Sequence, residues 1–310
     1  MLRMSLIFAV GASIVATAGC RSAGEEDPAE VVATTTHVAD LTENVAGERA
    51  QVEGILFAGS DPHDYEPRPS DAAAIAGAKL VITSGGDVDE WADELIESSG
   101  TEAEVITLTD SLPLIEGEGG DPDPHWWHDP VRAGIAADAI ARPLGRIDPD
   151  GKDLYLQNAA DYRVKLAAVD EAIIECMGRV PEEARKLVTS HDSLTYLADR
   201  YGFEVIGAAI PALSTQAQAS AGETADLVDL ITSDRVKAVF AEAGLSDDLE
   251  KAIAGDAGVE VGGELYADSL GEEGTPGDTY LGAIRANAAT LIEGVSEGDP
   301  PSCPALGVGE

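Results

Sequence analysis

Residues 150–177 read DGKDLYLQNAADYRVKLAAVDEAIIECM, and after Gly151 this stretch holds neither Gly nor Pro. Leu154, Tyr155, Tyr162, Leu166, Val169, Ile173 and Met177 recur close to helical spacing. The pattern predicts one helix of about 26 residues, roughly 39 Å long at 1.5 Å per residue. Gly178 and Pro181 stop it. A rod of that length matches the height of a domain pair, so the chain on either side is read as two lobes.

Both flanks alternate short β-rich runs with helical ones. Before the rod, strands are expected at Val31–Thr34, Gln51–Leu56, Leu80–Thr83 and Glu104–Thr107, with helices around Val38–Val45, Asp71–Ala76 and Val88–Ser98. After it, strands are expected at Lys186–Thr189, Glu204–Ile206, Ala238–Ala241 and Glu260–Glu264. Helices are expected there at Ser193–Tyr201, Gly222–Ser233, Asp247–Ala254 and Thr279–Val295. Such alternation with short connections predicts parallel sheets covered by helices. The fold class is therefore α/β: two parallel-sheet lobes, 31–149 and 178–310, bridged by one long rigid helix over 150–177. Pro130 to Ile147 is helical in composition, but Pro143 inside it predicts a kink or break.

Of 310 residues, 58 are Asp or Glu and 19 are Lys or Arg, a formal net charge of −39. A phosphate backbone needs a basic face, so nucleic acid is excluded as a partner. An amphipathic helix lying on anionic lipid is excluded on the same ground. Apolar residues make up 44% of the chain, enough for a core.

Arg3 precedes an apolar run from Leu6 to Ala18. At about 13 residues it is too short to span a bilayer core of roughly 30 Å, and residues 1–19 read as a secretory signal. Ala18-Gly19-Cys20 resembles a bacterial lipobox, with Thr17 where Leu is usual, so Cys20 is the expected lipidation site. Residues 20–30, polar and Pro-containing, read as the tether. The expected location is extracytoplasmic, anchored by lipid to the outer face of the cell membrane. Cys176 and Cys303 then remain as an even pair in an oxidising compartment, which predicts a disulfide.

Five His are few, and their placement is informative. His63 and His125 each follow an expected first-lobe strand and precede a helix; His191 lies at the C-terminal end of the first strand of the second lobe. Ligands of open parallel sheets gather at the carboxyl ends of strands. Imidazole is the commonest metal ligand and, with carboxylate, suits zinc and other first-row ions. Pro62 and Pro124, each following Asp, restrict the approach to the next imidazole.

The stretches DPHDYEPRPSD (61–71), DPHWWHDP (123–130), VTSHDSLTYLADRYG (188–202) and YADSLGEEGTPGDTYLGAIRANA (266–288) resemble the signature segments of one family. It is that of the metal-binding lipoproteins of bacterial ABC importers, the cluster A-I solute-binding proteins for zinc and manganese. The resemblance implies a metal shell of His63 and His125 from one lobe with His191 and Asp268 from the other. Asp268 rests on it: one Asp among 58 acids does not stand out, and by itself would read as a helix N-cap. The resemblance also implies capture of a divalent metal outside the cytoplasm and delivery to an ABC-transporter permease, by a chain expected to be monomeric. His rather than Glu at position 191 favours zinc over manganese; the acidic, His-free loop Glu116–Pro124 points the other way.

His37 is expected beside the site, as a rim or supporting residue rather than a ligand. His128 is expected to face solvent or cap a turn. Glu242, ending a strand, is expected to orient a metal-bound His. Trp126 and Trp127 are expected at the cleft mouth or in the core. A secreted zinc hydrolase is the rival reading, but no HExxH, GxSxG or phosphate-binding Gly-Lys-Ser/Thr loop occurs. A binding protein for a metal chelate is the third. Affinity is expected to fall as pH drops through roughly 6.5, where imidazoles take protons.

Overall fold

The computed structural model describes residues 30–117, 120–296 and 298–306. The expected signal sequence 1–19, Cys20 and all of the expected tether but Glu30 lie outside them, as do two residues of the acidic loop.

In the first lobe, β1 (Val31–Ala33), β2 (Val52–Gly54), β3 (Leu80–Thr83) and β4 (Glu104–Thr107) form an all-parallel sheet ordered β2-β1-β3-β4. Alternate side chains leave opposite faces of a strand. Val31, Ala33, Leu80 and Ile82 accordingly join the main core, whereas Val32 and Val81 join a smaller one. Helix α1 (Thr36–Ala46) adds Val38, Leu41 and Val45 to the main core, and its N-cap Thr35 accepts from the Val38 N–H. Helices α2 (Pro69–Gly77) and α3 (Trp91–Ser99) supply Ile75 and Leu95 to the other.

Helix α4 (Pro130–Ile147) runs unbroken through Pro143, so of the kink or break expected there the break does not occur. A proline removes one helical hydrogen bond. Here Pro143 is buried, flanked by Ile140, Ala141 and Leu144, so core packing on that face holds the helix. α4 lies against α5 (Lys152–Met177), the predicted rod of 26 residues. Tyr155, Tyr162, Leu166, Val169, Ile173 and Met177 are buried in the main core. Leu154, counted in the same stripe, is exposed, because it sits off the buried face.

The second lobe is built from two parallel pairs rather than one continuous sheet. β5 (Lys186–His191) pairs with β6 (Glu204–Ile210), and β7 (Ala238–Glu242) with β8 (Glu260–Leu265). β5 lies alongside β7, and each pair carries a register shift, at Leu187/Val188 and at Val239/Phe240. Helices α6 (Thr195–Tyr201), α7 (Ala221–Asp234), α8 (Asp248–Ala257) and α9 (Tyr280–Val295) cover them. Val188, Val239, Ile231 and Ile253 form a core of this lobe alone. Leu187, Phe240, Leu291 and Ile292 join the same main core as β1, β3, α1 and α5. One apolar core thus passes through both lobes.

Polar ties reinforce it. The Arg200 guanidinium of α6 pairs with Asp170 of α5 and with Asp129, the N-cap of α4, at 3.4 Å. Cys176 at the end of α5 is disulfide-bonded to Cys303, with Cα atoms 5.7 Å apart. Among the described residues no helix is long and apolar enough to cross a membrane.

Candidate metal centre

Four loops leave the carboxyl ends of strands and meet between the lobes. His63 follows β2, His125 follows β4, His191 ends β5 and Asp268 lies three residues beyond β8. All four are buried, and one ligand atom from each can be chosen so that all lie within 4.8 Å of one another. Asp268 is the hub. One of its oxygens lies 3.2 Å from His63 Nε2 and 3.1 Å from His191 Nε2, and the other 3.7 Å from His125 Nε2.

The loops are aimed by particular contacts. Gly86 has a positive φ of 79°, and a Cβ there would stand 2.7 Å from Pro124, just before His125. Only a residue without a side chain lets that turn approach so closely. In the second lobe, the Asp268 N–H donates to Glu242 Oε1 at 3.2 Å. Trp127 Nε1 donates to the Ala267 carbonyl at 2.8 Å, across the cleft.

Carboxylates stand behind two of the imidazoles. Asp123 Oδ1 lies 2.7 Å from His125 Nδ1 and also accepts the His125 backbone N–H at 2.9 Å. Glu242 Oε2 lies 3.1 Å from His191 Nδ1. Such partners fix the tautomer and raise the basicity of a metal-bound imidazole. Asp123 is not among the residues expected at the site, although the repeated Asp-Pro-His at 61–63 and 123–125 carries the signal. The Tyr196 hydroxyl of α6 holds this segment by donating to the Asp123 carbonyl at 2.7 Å.

The other candidates fall around this cluster. His37, on α1, is buried and stacks on Trp127 with ring centroids 5.0 Å apart; it is not one of the four. His128 is buried, with neither ring nitrogen hydrogen-bonded, and does not face solvent as expected. The short helix Trp126–His128 turns it inward beside Trp127. Both tryptophans are interior: Trp126 Nε1 donates to Ser84 Oγ at 3.1 Å, and Trp127 stands edge-on to His125. Burial holds both flanking imidazoles neutral, His37 with a pKa lowered to about 3 and His128 well below the usual value.

The cluster itself is electrostatically tense. Burial opposes charge on His191 and His63, but the Asp268 carboxylate outweighs it, with Glu242 adding to the effect at His191. His191 is raised well above the usual imidazole value and His63 is raised less. Burial would raise Asp268, yet His191 and His125 bring it well below the usual range. Glu242 is raised by burial and by Asp268. The atoms that face one another here lack a well-formed hydrogen bond: both nitrogens of His63, Nε2 of His191 and of His125, and both oxygens of Asp268. Buried polar atoms ordinarily find partners. Three nitrogens and one oxygen converging without protein partners are the donor set a borderline divalent cation takes.

Residues 31–294 match the family described as zinc-uptake complex component A, periplasmic. The manganese-binding lipoprotein MntA of Halalkalibacterium halodurans is 32% identical over 298 residues, 94% of this chain and 98% of that one. The iron-binding protein YfeA of Yersinia pestis is 31% identical over 304 residues, 96% of this chain and 97% of that one. Among solved structures, the periplasmic zinc-binding protein TroA from Treponema pallidum superposes with a TM-score of 0.80 at 26% identity. That match covers 86% of this chain and 98% of TroA.

Proposed function

The chain belongs to the family of the periplasmic component A of zinc-uptake complexes, and from that premise we propose that His63, His125, His191 and Asp268 coordinate its cargo, with zinc preferred over manganese. The chain is a substrate-binding protein of a bacterial ABC importer: it binds a divalent transition metal outside the cytoplasm and delivers it to the permease. It is a binding protein and not an enzyme.

The observation that supports the ligand set is the orphaned cluster itself, four buried side chains with converging donors that bond to little else. A shell of three neutral imidazoles and one carboxylate carries a formal charge of −1 and is the kind of closed tetrahedral set zinc favours. Named metals differ among the relatives, so the preference for zinc rests on the nitrogen-rich donor set. Manganese belongs with oxygen-rich shells. Anchoring through lipid on Cys20 and a monomeric state complete the proposal.

Metal competition on the purified mature protein tests it, with wild type beside His191→Ala and Asp268→Ala. Wild type is expected to retain zinc through dialysis and both variants to lose it. A variant binding zinc as wild type does would remove that residue from the shell, and tighter retention of manganese than zinc would reverse the metal preference.

A further inference from the structure

The three imidazoles of the cluster are not held alike. His125 and His191 have a buried carboxylate behind Nδ1, while His63 Nδ1 has no polar partner. His63 is fixed through its peptide instead. Asp61 Oδ1 accepts the His63 N–H at 2.9 Å, and Oδ2 of the same carboxylate accepts the Thr215 hydroxyl at 2.7 Å. Gln216 Nε2 donates to the His63 carbonyl at 2.5 Å. Thr215 and Gln216 lie between β6 and α7, in the opposite lobe, so the His63 carbonyl is held directly from across the cleft and its N–H indirectly, through Asp61.

We propose that Thr215 and Gln216 form a latch that positions His63, and that metal enters and leaves on the His63 side when this latch opens. The inference rests on His63 being a ligand, as proposed above. No residue from 211 to 220 is buried. A segment with little buried contact opens at low cost. The alternatives are all interior: Asp123 behind His125, Glu242 behind His191 and the Trp127–Ala267 bond beside Asp268 are buried. The latch touches only the His63 peptide and Asp61, none of the donor atoms. Breaking it therefore eases opening without altering the shell, and loading and release speed up together.

Stopped-flow exchange of zinc against a fluorescent chelator measures both rates. For the double variant Thr215→Val/Gln216→Ala, loss of two neutral hydrogen bonds is expected to raise both rate constants about tenfold, with the dissociation constant within about threefold of wild type. Thr215→Ser, which keeps the hydroxyl, is expected to behave as wild type. Gln216→Ala alone, an exposed side chain touching one carbonyl, carries the same test without risk to folding, with rises of about threefold. Unchanged rates in both variants would overturn the latch. So would a rise in release alone with a matching loss of affinity, because the contacts would then add binding energy without gating. His63→Ala is run alongside: wild-type zinc affinity in that variant would sink the site assignment, whereas lost affinity there with unaltered latch variants would sink the latch only.

Discussion

Replacing Asp123 with Asn isolates one charge behind one proposed ligand, His125. The side chain is fully buried; Oδ1 contacts His125 Nδ1 at 2.7 Å and its backbone N–H at 2.9 Å, and Oδ2 has no partner. Asparagine keeps the Oδ1 acceptor and sets an amide where the unpartnered oxygen stood, so the geometry survives and the negative charge goes. Losing a carboxylate behind a metal-bound imidazole weakens metal affinity roughly 10- to 100-fold. With the hydrogen bond kept, Asp123→Asn belongs at the low end, about tenfold or about 1.4 kcal/mol. Asp123→Ala, which frees His125 Nδ1 in a dry interior, belongs near 100-fold, about 2.7 kcal/mol. Zinc competition against a chelator of known affinity at pH 7.5 reads both. If Asp123→Asn binds within about twofold of wild type, the carboxylate does not tune His125 and the reasoning fails.

Zinc affinity should rise with pH beyond the range of a free imidazole, because His191 and His63 have raised pKa values in the metal-free protein and a proton must leave before metal binds. Calorimetry in buffers of different ionisation enthalpy should detect net proton release at pH 7; affinity that stays flat from pH 6 to 8 contradicts this. Asp40 has its pKa raised to about 6, chiefly by burial, so the stability it allows is complete below about 4 and is lost as pH rises through 6. Asp40→Asn lacks that loss, and its advantage over wild type in urea unfolding should grow by about 3 kcal/mol between pH 4 and 7; a constant difference counts against it. Breaking the Cys176–Cys303 bond, which closes 127 residues of chain, should cost about 2–5 kcal/mol. A double Ser variant melting with wild type would mean the crosslink constrains little.

Much of this architecture is readable from residues alone, for reasons that differ by element. β3 and β4 fall at the residues expected, 80–83 and 104–107, because each is a short β-rich run, β3 closed by Ser84-Gly85-Gly86 and β4 set off from the preceding helix by Gly100. The rod α5 is legible because nothing within it breaks a helix. Pro143 does not end α4, since tertiary packing outweighs one missing hydrogen bond. His128 misleads: a polar ring next to a turn reads as exposed, and only the fold shows that Trp127 covers it. At the site, the His residues announce themselves by rarity. Asp268 and Asp123 do not, because in so acidic a chain a buried, working carboxylate looks like any solvated one until the backbone places it. The split of the second lobe into two strand pairs has no sequence signal at all, since pairing partners 18 to 23 residues apart leave no local trace.

The apolar core that threads both lobes has a consequence for the chain as a heritable unit. Severing the polypeptide near its midpoint would give two fragments, each exposing half of a shared interior, and neither should fold alone. Melting should accordingly proceed in one calorimetric peak, since losing either half strips the other of its packing. Insertions that part the halves should be far less tolerated than insertions at outer loops, so this protein's lineage should vary at its rim and stay constant in length through its waist.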